Sequence, residues 1–161
     1  MPERFNMNKQ QLATKIWESA NKMRSKIEAN EYKDYILGFI FYKYLSDKEL
    51  KFLKANGFTQ SDIESLEEDI EEGAESRKFI RENIGYFISY KDLFSTWLKL
   101  GKDFDVSNVT DAISAFNRMI NPSHKKVFEG IFNTLQTGLS KLGESSGART
   151  KAISYLLYLI K

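Results

Sequence analysis

The chain has no cysteine, a single histidine and two prolines among its 161 residues. Without cysteine there is no disulfide, no thiolate metal site and no thiol nucleophile, which fits a reducing compartment. With His124 alone, a histidine zinc site is excluded and a serine triad would have to recruit that one residue. His124 follows Pro122-Ser123 and precedes Lys125-Lys126 with no partner motif, so an exposed surface histidine is expected. An uninterrupted hydrophobic run of bilayer length is also missing. The most apolar stretch, Tyr35 to Tyr42, is closed by Asp34 and Lys43 and is too short to span. The start, Met-Pro-Glu-Arg-Phe-Asn-Met-Asn, lacks the apolar core of a signal peptide, so a cytoplasmic protein without a membrane segment is expected. Acidic residues in 62–75 lack the spaced Asp/Asn-and-Gly pattern of a calcium loop. Gly143 and Gly147 form neither a P-loop nor a dinucleotide fingerprint.

What the chain does have is aromatic bulk, 12 Phe and 8 Tyr, and a net charge of +2 that conceals an uneven distribution. Residues 1–54 carry 11 basic and 7 acidic side chains, residues 62–75 carry 8 acidic and no basic ones, and residues 118–161 carry 7 basic and 2 acidic. An acidic middle beside a basic C-terminal third could steer a nucleic acid or a charged partner; solvated helix faces are the plainer account. The length supports one domain with a real core.

Periodicity predicts helices throughout. Asn8 and Gln11 resemble a capping pair, and Leu12, Ile16, Ala20, Met23 and Ile27 follow on one face, widened by Trp17. Asn30 caps a second helix with Tyr32, Tyr35, Ile36, Phe39, Ile40 and Leu45 apolar, running through Leu53 to a stop at Asn56-Gly57. Its apolarity predicts a central place, covered by other helices on several sides. Ser61 to Glu64 matches a capping box ahead of Ile63, Leu66 and Ile70. A short helix is expected over Arg77–Asn83, ending near Gly85, with at most one short extended segment at 86–88. Ser89 with Asp92 would start the next helix, carrying Leu93, Phe94, Trp97 and Leu98 and ending at Gly101. Ser107 opens another with Val109, Ile113, Phe116 and Ile120 buried, and Asn121-Pro122 breaks it. Val127, Phe128, Ile131, Phe132 and Leu135 form a further stripe. Gly143 to Gly147 reads as a loop, and Ile153–Ile160 as the last helix. The fold class is all-α, one multi-helix domain over residues 1–161.

A search for a catalytic constellation finds none. Asn121-Pro122-Ser123-His124 is superficially like the Asn-Pro-Pro-aromatic loop that holds a flipped adenine, but the second proline and the stacking aromatic are missing, and it follows a helix rather than a buried strand. It reads as a helix break. Tyr42-Lys43-Tyr44 and Tyr90-Lys91 could stack on bases; in helices of this apolarity, core aromatics with outward lysines are the expectation.

Two blocks, Trp17-Glu18-Ser19-Ala20-Asn21-Lys22-Met23-Arg24 and Tyr32 through Ser46, closely resemble the N-terminal domain of type I restriction–modification M subunits, the DNA adenine methyltransferase chains of those systems. Gly85-Tyr86-Phe87-Ile88, Leu93-Phe94, Val127 through Phe132, and Leu142-Gly143 ahead of Arg149 fit the same pattern in the same order. The resemblance implies a helical domain that precedes a Rossmann-like catalytic domain binding S-adenosylmethionine. The glycine-rich loop and the Asn-Pro-Pro-aromatic loop belong to that second domain, and neither is present here. No catalytic, cofactor or metal residue is therefore carried over, and a fragment of a longer methyltransferase acting on adenine N6 is expected. The implied partners are the specificity (S) subunit, a second M subunit, the restriction (R) subunit and double-stranded DNA. The implied role is to help close the complex around the duplex. Basic side chains against phosphates would serve it, and Arg118, Lys125, Lys126, Lys141, Arg149 and Lys151 dominate the most basic segment. Trp17, Tyr35, Phe39 and Leu45 are assigned to the core. The rival reading is a stand-alone helical interaction module or regulator of methyltransferase complexes.

Overall fold

A 27-residue helix, α1 (Ala29–Ala55), is the axis on which the other elements are hung. The computed structural model of the chain describes residues 29–68, 71–139 and 146–160, with Thr14 alone before them. The readings at Asn8–Gln11, at Leu12 to Ile27 and at Trp17 fall outside these residues. Tyr35, Ile36, Phe39, Tyr42, Leu45, Ser46, Glu49 and Leu53 are buried along one broad face of α1, at steps of one, three and four. The helix is already formed at Ala29, so Asn30 lies inside it rather than capping it. Its end matches the sequence reading. Gly57 adopts φ 82°, Gly57 N–H reaches Lys54 O at 3.3 Å and Phe58 N–H reaches Leu53 O at 3.1 Å. Those two bonds satisfy carbonyls that the helix leaves open, and the left-handed residue between them is best served by glycine.

The remaining α-helices among the described residues are α2 (Gln60–Glu64), α3 (Ala74–Ile84), α4 (Phe94–Leu100), α5 (Val106–Arg118), α6 (Lys125–Phe128), α7 (Asn133–Leu139) and α8 (Ser146–Ile160). No strand occurs among the described residues. Helix α1 packs against α3, α4, α7 and α8, and α5 closes the far side through α7 and α8. Aromatic rings fill the centre. Tyr42 stacks on Trp97 at 4.8 Å between centroids, and Phe132 stands edge-on to both Tyr42 (5.4 Å) and Phe116 (5.3 Å). Such pairs add to the area they bury.

Several boundaries differ from the sequence reading, each for a local reason. The capping box before α2 is Thr59 with Asp62, not Ser61 with Glu64: Asp62 N–H donates to Thr59 Oγ1 (3.1 Å) and Thr59 N–H to Asp62 Oδ2 (2.8 Å). Likewise α5 is capped by Asp105 with Asn108 rather than opened by Ser107. In both places two capping-competent residues lie two apart, and the helix starts at the one that makes the reciprocal pair. Ser89 makes no side-chain cap; a short 3-10 turn, Tyr90–Asp92, intervenes before α4. The stripe from Val127 to Leu135 is not one helix. It breaks between α6 and α7 at Gly130 (φ 78°), which leaves Val127 63% exposed while Phe128 and Phe132 turn inward. Ser146 and Gly147, read as loop, belong to α8.

Candidate functional surfaces

The most unusual internal feature is a buried polar joint between α1 and the segment 85–94. Tyr86, Phe87 and Ile88 are buried yet belong to no helix or strand, so their backbone groups need partners from elsewhere. Helix α1 supplies them. Glu49, 0% exposed, accepts from Ile88 N–H through Oε1 at 2.7 Å, and Ser46 Oγ accepts from Phe94 N–H at 3.2 Å. In return Tyr86 OH donates to Leu45 O (2.7 Å) and Tyr42 OH to Asp92 O (2.9 Å). Burial pushes the Glu49 carboxyl well above the usual carboxylate range, against the lowering effect of the Ile88 bond. Its second oxygen, Oε2, has no hydrogen-bond partner. Burial also lifts Asp92 to about 6, and raises Tyr42 and Tyr86. Carboxyls so perturbed often mark active sites. Here Glu49 is 0% exposed and its contact is to a backbone amide, so the arrangement fastens a buried segment to α1.

Gly85 makes the entry to this segment. It caps α3 at φ 96°, and a Cβ there would lie 2.8 Å from Phe128 and 2.9 Å from His124. His124 is half-buried, its ring stacked on Phe128 at 6.3 Å, and Asn121 N–H donates to Gly85 O at 2.8 Å. Asn121-Pro122-Ser123-His124 is thus a 3-10 turn against the end of α3, with Asn121 accepting from Ser123 N–H, and it is built as a helix break.

Of the six basic residues singled out from the sequence, the four whose side chains are described, Arg118, Lys125, Lys126 and Lys151, are not gathered into one patch. Arg118 is engaged: Nε and Nη2 each meet a Glu68 oxygen at 2.8 Å, and that bidentate bond lowers the Glu68 carboxyl below its ordinary range. Lys125 and Lys126 are exposed on α6, which is seated by Phe128 against Tyr86 and Phe116 near the C-terminal end of α5. Lys151 is exposed on α8 beside Thr150, which donates to Asp105 Oδ1 (3.0 Å) and accepts from Val106 N–H (2.9 Å) at the opposite end of α5. Along 13 residues of helix these sites are about 20 Å apart. Lys141 lies outside the described residues, as does the side chain of Arg149.

A surface that sequence reasoning missed lies on the outward side of α1. Leu37 is 54% exposed and Tyr44 57%, with Phe41 between them, its ring stacked on Tyr44 at 6.3 Å and tilted against Phe132 at 5.9 Å. Ile131, Thr134 and Leu135 complete a groove of about 710 Å³ beside them. The 37/41/44 spacing was legible as a face; that no described element covers it was not. Tyr44 therefore departs from the expectation of core aromatics, which Tyr42 meets. Tyr90 is half-buried, with the Lys99 ammonium 5.7 Å from its ring centre.

The family model of the HsdM N-terminal domain matches residues 12–160. The chain belongs to that family. Among curated relatives it is similar to the type I restriction enzyme MpnII methylase subunit of Mycoplasma pneumoniae, 27% identical over 154 residues, covering 89% of this chain and 28% of the relative. Among solved structures it is similar to a type I restriction-modification system methyltransferase subunit from Streptococcus thermophilus. The TM-score is 0.73 at 24% identity, over 95% of this chain and 34% of the other, a likeness of fold. The chain thus spans about a third or less of the length of these relatives.

The residues that carried the family resemblance now have physical roles in this HsdM N-terminal domain. Tyr35, Phe39 and Leu45 are core, as assigned. Gly85 to Ile88 and Leu93-Phe94 are the two ends of the buried joint, and Val127 to Phe132 is the break that seats α6. Among the described residues no group of three or more His, Cys, Asp or Glu could hold a metal, and no helix is long and apolar enough to cross a membrane.

Proposed function

We propose that the chain is the helical N-terminal part of a type I modification subunit, and that it supports DNA engagement and subunit assembly without a reaction of its own. The observation that carries this reading is the family match across residues 12–160. In the whole protein a methyl group would pass from S-adenosylmethionine to N6 of an adenine in DNA. This reading expects no S-adenosylmethionine site on these helices. One cleft, at Leu37, Phe41 and Tyr44, is apolar. A second cleft, at Asn56, Gly57 and Ser65, offers Asp62, whose carboxylate is already taken by Thr59 N–H. No catalytic step is assigned to these helices.

The partners under this reading are an S subunit, a second M subunit, the R subunit and double-stranded DNA, in the cytoplasm. Phosphate contacts from Lys125 and Lys126 at one end of α5 and Lys151 at the other would give affinity without base readout, leaving target choice to S. Lys141, Arg149 and Arg118 extend the set, Arg118 only by exchanging Glu68 for a phosphate. The test is a duplex titration of the chain at several salt concentrations. Weak binding is expected, with log K falling by about 0.9 per phosphate contact for each tenfold rise in salt, and K125A/K126A flattening that slope by roughly two contacts. Salt-insensitive binding would overturn the clamp role. Saturable heat with S-adenosylmethionine in calorimetry would overturn the domain assignment.

A further inference from the structure

The groove between α1 and α7 is apolar and open, and no other described element covers it. Leu37, Phe41 and Tyr44 rise exposed along its α1 side, and Ile131, Thr134 and Leu135 line the opposite bank. Tyr35 OH donates to Gly138 O and Phe41 meets Phe132, so α7 runs antiparallel to α1 along it. The chain ahead of α1 carries a stripe with the same need. Leu12, Ile16, Ala20, Met23 and Ile27 fall within about 80° of one another around a helix. Thr14, the one described residue of that stretch, is helical and exposed. It lies about 200° around from Leu12, on the side that such a stripe leaves to solvent.

We propose that residues 12–27 of the same chain fold back along α1 as an antiparallel helix and strap this groove shut. The lengths agree. Counted from Ala29 at the helical rise, Leu37 stands about 12 Å, Phe41 about 18 Å and Tyr44 about 22 Å along α1. Counted back from Glu28, Ala20 stands at about 12 Å, Ile16 at about 18 Å and Leu12 at about 24 Å. Ala20 therefore comes level with Leu37, Ile16 with Phe41 and Leu12 with Tyr44. Both stripes also turn polar at the same level. On α1 the next residue on that side is Lys48, and ahead of Leu12 stand Asn8-Lys9-Gln10-Gln11. Helices joined by a short connection pack as antiparallel neighbours. The tether also gives the segment an effective concentration that a free partner lacks. A partner that uses this face must displace the strap, so the groove opens only to one that binds it more strongly than the chain's own segment. This goes beyond the proposed function and does not depend on it.

The experiment uses the absence of native cysteine: A20C/L37C is oxidised in the 161-residue chain and run on a non-reducing gel, beside T14C/L37C. Ala20 and Leu37 are level and face each other, so A20C/L37C is expected to close on itself as a monomer. Thr14 points away, so T14C/L37C should stay open. A mixture of single-site A20C and L37C chains at micromolar concentration should cross-link at least ~10-fold less, because the tether is missing. Dimers formed as readily from that mixture would mean that the segment comes from another chain and would overturn the proposal. So would an A20C/L37C chain no more closed than T14C/L37C. A second measurement is independent of register. With circular dichroism melts certifying the fold, I16E/M23E should bind the apolar dye bis-ANS several-fold more than the unaltered chain, and adding F41E should remove the gain. Unchanged dye binding in I16E/M23E would equally overturn the strap.

Discussion

Replacing Glu49 by Gln isolates the chemistry of the joint between α1 and the segment 85–94. The carboxyl is fully buried, accepts one backbone N–H through Oε1 and has nothing at Oε2. An unfolded Glu titrates near ~4.3, and burial raises the folded value, so the folded state holds a proton that the unfolded state releases. The contribution of Glu49 to stability is therefore complete below its unfolded pKa and is lost as pH rises through the folded one. Within that window stability falls by about 1.4 kcal/mol per pH unit for the one proton. Asp92, lifted from 3.8 to about 6, acts in the same direction over its own two-unit window, about 3 kcal/mol at most. Gln keeps the Oε1 acceptor for Ile88 N–H and cannot ionise. E49Q should match wild type near pH 4.5 and exceed it at pH 8, with its pH slope reduced by one proton. E49A, which orphans a buried N–H, should cost about 1–3 kcal/mol at pH 4.5. Urea melts of the three proteins from pH 4.5 to 8.5 give these slopes directly. If E49Q runs parallel to wild type at every pH, Glu49 is ionised in the fold and the reasoning fails.

Phe39, 0% exposed at the centre of α1, should cost about 3–5 kcal/mol on change to Ala, read from the urea midpoint; an unchanged midpoint would place it on a surface. G85A combines a φ of 96° with a Cβ 2.8 Å from Phe128, and should destabilise by roughly 1–3 kcal/mol, with lower amide protection over 85–88 in hydrogen exchange. T59A removes the reciprocal cap of α2 and should cost about 1 kcal/mol in the same melts. The Arg118–Glu68 pair, with the Arg largely exposed, should show a coupling below about 1 kcal/mol in a double-mutant cycle, shrinking with salt. Its Glu68 carboxyl is depressed, so that coupling is present above the unfolded carboxylate pKa and disappears as pH falls through the folded one.

The fold class was readable because apolar spacing at three and four residues survives in every long element, and because Asn56-Gly57, Gly85 and Asn121-Pro122 are stop signals whose mechanism is local. Errors collected where two local solutions compete. Thr59 and Ser61, or Asp105 and Ser107, can each cap, and a pattern match at one does not exclude the other. Val127 to Leu135 carries a helical stripe that Gly130, at φ 78°, interrupts, while Phe128 and Phe132 both reach Phe116 in the core. The buried Glu49 was invisible in sequence. It sits in a run, Ser46-Asp47-Lys48-Glu49, that looks like an ordinary polar turn of helix, and its partner is 39 residues away.

The surface was the least legible part, and the reason bears on function. Summed along the sequence, Arg118 opens the basic third and Glu68 lies in the acidic middle, which suggests a charge separation available to a partner. Folding brings the two together across 50 residues, so part of that separation is spent within the domain. A duplex competing for Arg118 must release Glu68, which then stands beside the phosphates as a like charge. Lys125, Lys126 and Lys151, with no such bond among the described residues, are the cheaper contacts. A DNA-binding loss concentrated in K125A/K126A, with R118A close to wild type, is the pattern this argument requires; the reverse would mean that the bridge opens on DNA.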